Sequence, residues 1–265
     1  MLNAVAGDVE SQPMCPQHPE REAVCTCVRC GRYACASCER DEGRCSECAR
    51  LSALEVPDSR ERAHRATVLQ YVSAGTSLVG LLYELLLVPE FGNPLAAERL
   101  SRWGVLVLAM AVVVATQVTL LMWVHRVVRQ LKALGADIGM SPARAVWMWL
   151  IPLLNWVKPY HVMRDIAEKL GGASFVASLP LQLWWAANVL ARILEKAEAK
   201  LLVRETATAD TTTRDVVGLL SSVCAVAAAL LYVQLIKDLQ TRLDRRREGI
   251  EEPEAPVAGD EAAAA

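Results

Sequence analysis

Enzyme signatures are what this sequence most plainly lacks. It has no H-E-x-x-H pair, no Walker A loop and no dinucleotide-binding glycine pattern. That removes the common metalloprotease, P-loop and dinucleotide chemistries. Histidine is scarce, limited to His18, His64, His125 and His161. Gly75-Thr76-Ser77-Leu78 lacks the second glycine of an intramembrane serine-protease motif. A Ser77–His125 dyad would also set its histidine near the opposite membrane face from its serine. The chain therefore reads as a non-enzyme, a membrane-embedded hydrolase being the residual alternative. A formal net charge of −2 gives no whole-chain case for nucleic-acid binding. The N-terminus has neither a basic stretch nor a long apolar core, so no secretory signal peptide is expected. Cysteine is nearly missing beyond residue 48, where Cys224 stands alone.

The other eight cysteines crowd into residues 15–48. Seven of them, with His18, form the knuckles Cys15-x-x-His18, Cys27-x-x-Cys30, Cys35-x-x-Cys38 and Cys45-x-x-Cys48. Two ligands separated by two residues reach one tetrahedral metal from a single tight turn, so four knuckles make two sites. In a reducing cytosol paired cysteines mean metal rather than disulfides. Gap lengths suggest which knuckles share an ion. Pairing first with third and second with fourth leaves room for a small hairpin or a helical turn within each site. Site one is then Cys15, His18, Cys35 and Cys38, and site two is Cys27, Cys30, Cys45 and Cys48. The sequential alternative, first with second and third with fourth, leaves shorter gaps. Two structural zinc ions are the expected cofactors; mixed Cys/His ligands favour zinc over iron. Each site has four protein ligands and no open position for a catalytic water. Cys25 stands outside the scheme, either as a small buried residue beside the metal or as a redox-active thiol.

The run C-x2-H…C-x2-C-G-x3-C-x2-C…C-x2-C over residues 14–49 resembles a B-box-type zinc finger. Cys45 and Cys48 replace the closing histidine pair of animal B-boxes, and a RING ubiquitin ligase is a poorer match. The resemblance implies a small module that binds another protein.

Four apolar runs follow, uncharged apart from Glu84 in the first and Asp215 at the edge of the fourth, each long enough to cross a bilayer, which takes about 20 residues. They predict spans over about 66–88, 103–125, 172–191 and 215–236. Trp103 and Trp123 sit near the ends of the second, at interfacial positions. A fifth piece, 145–157, is short, is interrupted by Pro152 and contains Asn155. Together with an amphipathic helix over 160–170, it reads as a re-entrant or interfacial segment at about 145–170. If it does not cross, Arg126, Arg129, Lys132, Arg144, Lys158, Arg164 and Lys169 share one side with the basic tail. That satisfies the positive-inside tendency and favours four spans, both termini cytoplasmic, over five. Gly218, Ser222, Ala225 and Ala229 form a small-residue packing seam.

The motif Ser141-Pro142…Ala145-Val146-Trp147…Ile151-Pro152…Asn155…Pro159-Tyr160…Met163 resembles the signature of a bacterial membrane family, domain of unknown function 4328. The resemblance extends over roughly residues 66–245. It implies architecture and brings no activity. Pro152, Asn155, Pro159 and Tyr160 are the candidate pocket or gating residues, a rigid turn being the competing account. Glu84, a carboxylate within the first span, either serves an ion or proton or reaches headgroup water.

The expected fold is an all-α transmembrane bundle with a small zinc-stabilised N-terminal module of irregular structure and short β. Its parts are a disordered 1–13, the double-zinc module 14–50, a basic juxtamembrane linker 51–65, the four-span domain 66–245 and a disordered acidic, Ala-rich tail 246–265. Arg50, Arg60, Arg62 and Arg65 set topology or touch anionic lipid. The expected role is a tethered adaptor or sensor in the bacterial inner or plasma membrane. It would bind a cytosolic protein through the zinc module and the bilayer through the bundle, with no nucleic acid, and it is a candidate homo-oligomer. The competing role is a small-solute or ion transporter or channel using Glu84 and the broken segment.

Overall fold

The structure is a computed structural model that describes residues 13–40, 43–86, 96–136, 138–204 and 211–251. The expected disordered stretch 1–13 lies outside the described residues except for Pro13, as does the tail beyond 251. The chain divides between Pro57 and Asp58 into two compact units.

The first unit is three two-stranded antiparallel hairpins and one helix. β1 (Met14–Cys15) pairs with β2 (His18–Glu22), β3 (Cys25–Thr26) with β4 (Tyr33–Ala34), and β5 (Glu39–Arg40) with β6 (Arg44–Cys45). Helix α1 (Ser46–Glu55) follows. Strands this short bury almost no apolar surface. The unit's buried cluster is Ala34 and six cysteines, with Cys25 partly buried against them, and Ala53 of α1 is buried besides. A hydrophobic core is in effect replaced by sulfur. Gly31 (φ 71°) closes the β3–β4 turn in the left-handed region, where a side chain is strained.

The second unit is helical. It comprises α2 (Arg60–Leu86), α3 (Ala96–Ala133), α4 (Pro142–Leu150), a 3-10 turn at Leu154–Trp156, α5 (Lys158–Ser178), α6 (Leu181–Arg204) and α7 (Thr211–Glu251). Packing centres on α7, which lies against α2 and α6. The interior holds Trp123, Val127, Leu131, Trp184, Leu235, Ile236 and Leu239, all fully buried. Val107, Leu108, Met110, Val113, Val114 and Val118 instead turn outward from α3, a band of exposed apolar side chains that water would penalise and lipid would not.

Val107–Ala133 and Val216–Ile250 are long and apolar enough to cross a membrane, and α5 with α6 makes a third such element if the bent pair is one span. They make the chain a membrane protein by length and composition. The expectation of one straight span over 172–191 is corrected. Gly172 leaves helical geometry (φ 71°, ψ −171°), and the chain breaks before Pro180, where Leu179 is extended. The two helices meet at 79°. Proline lacks an N–H and disfavours the helical conformation for the residue before it, so an uncharged run need not be a continuous helix.

Two boundaries also differ from expectation. The 51–65 stretch is largely helical, α1 ending at Glu55 and α2 beginning at Arg60, so the irregular connection shrinks to residues 56–59. Helix α7 continues to Glu251, past the expected tail boundary at 246. Within α5, Val162, Met163, Ile166 and Ala167 are buried against the protein, while Arg164, Glu168 and Lys169 are exposed.

Candidate metal centres

Each cysteine knuckle sits where a turn gathers its two ligands. The β1–β2 hairpin sets Cys15 opposite His18. Cys27 and Cys30 occupy the β3–β4 turn, in which Gly31 N–H donates to the Cys27 carbonyl at 2.9 Å. Cys35 and Cys38 form the turn between β4 and β5, closed by Cys38 N–H to Cys35 O at 2.9 Å. Cys45 ends β6 and Cys48 lies in the first turn of α1.

These turns bring together two sets of four: Cys15, His18, Cys35 and Cys38, and Cys27, Cys30, Cys45 and Cys48. Within each set the ligand atoms all lie within 4.8 Å of one another. Metal–sulfur bonds of about 2.3 Å put tetrahedral sulfurs about 3.8 Å apart, and a sulfur and an imidazole nitrogen about 3.5 Å apart. Cys15 Sγ and Cys38 Sγ are 3.8 Å apart, as are Cys30 Sγ and Cys45 Sγ. His18 Nδ1 is 3.5 Å from Cys35 Sγ and 3.1 Å from Cys38 Sγ. Both clusters could therefore hold a tetrahedral ion, and the pairing is interleaved. Cys25 belongs to neither. Its thiol points toward the Ala34 carbonyl at 3.9 Å, and burial first, then the Glu39 carboxylate, pushes it up from the usual thiol range. That opposes a reactive thiolate.

The ligands differ in acidity. The Cys45 N–H, donating to Cys27 Sγ at 3.3 Å, leads the contacts that hold the Cys27 thiol down to about 6. The Ser37 hydroxyl, 3.2 Å from Cys35 Sγ, leads those that hold Cys35 at about 6. Burial pushes Cys38 up to about 11 and Cys48 up to about 12. Sequence reasoning missed the outer ring of support. Gln17 Oε1 accepts from Ser46 Oγ at 2.9 Å and from Cys38 Sγ at 3.1 Å, tying the first knuckle to the third and to α1. The polar side chain inside the first knuckle, Gln17, was the available signal.

The other candidate residues are elsewhere. Pro152 follows Ile151, the extended C-terminal cap of α4, and Pro159 occupies the first turn of α5. Both are positions that proline favours for local reasons. Asn155 N–H donates to Ile151 O at 2.8 Å, and Val157 N–H to Leu154 O at 3.0 Å, closing the turn. The Asn155 Oδ1 is buried without a hydrogen-bond partner. Tyr160 is half-buried, its ring edge-on to His161. At the other end of this motif the Ser141 hydroxyl caps α4 by accepting from Arg144 N–H at 3.2 Å. Glu84 belongs to α2, but its side chain lies outside the described residues.

A helical membrane protein with a Cys/His unit whose two clusters could hold metal ions is the class that these features define. Residues 94–241 match the family described as a domain of unknown function, DUF4328, and the chain belongs to that family. The match takes in α3 to most of α7 and begins after α2, later than the 66–245 resemblance. No curated protein and no solved structure matches the chain.

Proposed function

We propose that this chain is a membrane-tethered adaptor or sensor whose N-terminal unit binds two structural zinc ions and recruits a cytosolic protein. The observation that carries this reading is the closure of both clusters. Four protein ligands around each ion leave no position for a reacting water, so the unit offers a surface rather than a reaction. Its knuckle order is B-box-like, and such modules are interaction domains. Cys/His donor sets of this size favour zinc.

The orientation follows from where helices meet. Ser59 at the start of α2, Trp123 late in α3 and Gln240 late in α7 are joined by hydrogen bonds, so these three ends lie together. They carry Arg60, Arg62, Arg126, Arg129, Lys132, Arg242 and Arg245–Arg247, and the positive-inside tendency assigns them to the cytoplasm. Both termini are then cytoplasmic. A cysteine introduced at residue 250 of a cysteine-poor variant should resist an impermeant label in intact cells; ready labelling would overturn this topology.

The recruitment test compares proteins captured by the full chain with those captured by the double variant Cys27→Ser/Cys45→Ser. Loss of cytosolic partners is expected, and an unchanged set would sink the idea. A transporter or channel is the second reading, supported by the unpartnered Asn155 Oδ1 in the α4–α5 connection. It predicts that Asn155→Ala and Glu84→Gln abolish function while Cys27→Ser does not.

A further inference from the structure

Helix α1 has little of its own to keep it helical. It is ten residues long, and its N-cap, Cys45, makes no side-chain capping bond. Isolated helices shorter than about 12–15 residues are marginal in water. The residues it buries are Cys48 and Ala53, one a metal ligand and the other a single methyl.

The second metal centre supplies a polar grip. Arg29 lies inside the second knuckle, between Cys27 and Cys30. Its base is fixed, because Val28 N–H donates to Gly43 O at 3.1 Å and Gly31 N–H to Cys27 O at 2.9 Å. Arg29 Nη1 donates to Ser52 Oγ at 3.1 Å, and Nη2 to Glu55 Oε1 at 2.5 Å. Arg44, next to the ligand Cys45, donates from Nη1 to the same Ser52 oxygen at 3.3 Å. Ser52 in turn donates to the carbonyl of the ligand Cys48 at 2.5 Å. Residues 48, 52 and 55 are four and three apart, so they share one face of α1. That face carries a ligand in its first turn and two acceptors for Arg29 beyond it.

The Arg29–Glu55 pair alone would contribute little, since both side chains are well exposed. The half-buried Ser52 is different in kind. One hydroxyl there joins the second knuckle, β6 and the backbone of a ligand.

We propose that Arg29 and Ser52 are positioning residues of the second metal centre. They clasp α1 to the Cys27–Cys30 knuckle, so that filling this centre and ordering α1 depend on one another. The inference rests on the metal reading of the cluster and is independent of the unit's partner. Linkage requires that whatever the clasp adds to the order of α1 on loading also appears in the metal affinity, by the same factor.

The full chain in detergent, loaded with zinc, tests it through two readouts. One is competition against a coloured chelator, and the other is amide hydrogen exchange over residues 50–55. Arg29→Ala should weaken metal binding and speed that exchange, each by about fivefold, the size of one net hydrogen bond. Arg29→Lys should recover part of both. Ser52→Ala should also weaken metal binding about fivefold. Alanine raises the intrinsic helix propensity of α1, so a poorer helix would not account for that loss. Arg32→Ala, which removes a guanidinium from the same hairpin, should change neither readout. Where Arg29→Ala does not fold, Ser52→Ala and Arg29→Lys carry the test. Two zinc ions bound, with affinity and exchange in the Arg29 and Ser52 variants equal to those of the unaltered chain, would overturn the clasp alone. An unaltered chain that takes up no zinc would overturn the metal reading with it.

Discussion

Ser59 donates its hydroxyl to Gln240 Oε1 at 3.0 Å in the fully buried interior of the helical unit, across 181 positions of sequence. The same oxygen accepts from Trp123 Nε1 at 3.1 Å, and Gln240 Nε2 donates to Asp244 Oδ1 at 2.8 Å. One amide thus joins α2, α3 and α7. It also explains why Ser59, placed to cap α2, spends its hydroxyl elsewhere.

Gln240→Leu should be the more damaging of two substitutions here. It leaves a buried hydroxyl and a buried indole N–H without acceptors, at roughly 1–3 kcal/mol for each orphaned group. Ser59→Ala removes one donor and leaves the rest of the network intact, so about 1 kcal/mol is expected. Thermal unfolding of the detergent-solubilised chain should show a larger fall in Tm for Gln240→Leu.

Metal content separates ligands from bystanders. Elemental analysis of the unaltered chain should find two zinc ions. Cys27→Ser should lose the second-site ion, whereas Cys25→Ser should keep both, because Cys25 Sγ lies in neither cluster. A chelator strong enough to strip both ions should unfold the cysteine unit, whose buried side chains are nearly all ligands. Persistence of its structure in the stripped protein would contradict a metal-dependent fold.

Metal affinity should rise with pH. Near neutrality Cys27 and Cys35, held at about 6, are largely thiolates, while Cys38 and Cys48, at about 11 and about 12, carry protons that an ion must displace. As the pH falls through about 6, Cys27 and Cys35 take up protons as well, and the loss of affinity should steepen. To whatever fold persists without metal the two depressed thiols would contribute stability that is full above the ordinary thiol range and disappears as the pH falls through about 6. The two raised thiols act in the opposite sense, losing their contribution as the pH rises through about 11 and about 12. Competition against a coloured chelator between about pH 5 and pH 8 measures the affinity slope.

Gly172→Ala should destabilise the α5–α6 bend. Nothing approaches a Cβ built there, so the cost is conformational, about 1–3 kcal/mol for a region of backbone space open essentially to glycine. Gly171→Ala should also destabilise, but by collision, because its Cβ would lie 2.5 Å from Phe175 Cβ, 2.7 Å from its Cγ and 2.9 Å from its Cδ1, the last two of which Phe175→Ala removes. Unfolding of the two variants in detergent, with Phe175→Ala added to each, separates the causes. Only the Gly171 variant should be partly relieved.

The ligand clusters were readable in sequence because knuckles are local and the gaps between them limit which can meet. Structure and gap lengths group the same eight side chains. Helical bulk was readable from the long uncharged runs around Val113 and Ala227. What hid was of two kinds. Hydropathy weighs Pro180 as one more uncharged residue, so a run over 172–191 looks continuous although its backbone cannot be. The Glu- and Arg-rich stretch after 246 resembles a solvated tail, yet it continues α7. Long-range polar partners such as Ser59 and Gln240 leave no trace in spacing at all, because nothing local ties either residue to the other.

The interleaving of the two clusters makes the cysteine unit a chain tied through itself. The loop closed by one ion contains half the ligands of the other, so the first ion to bind has already ordered part of the second site. Loading should then be close to all-or-none, and the unit would respond to free metal as a threshold rather than in proportion. A titration that resolves the singly loaded species should find it scarce at every ratio of metal to protein.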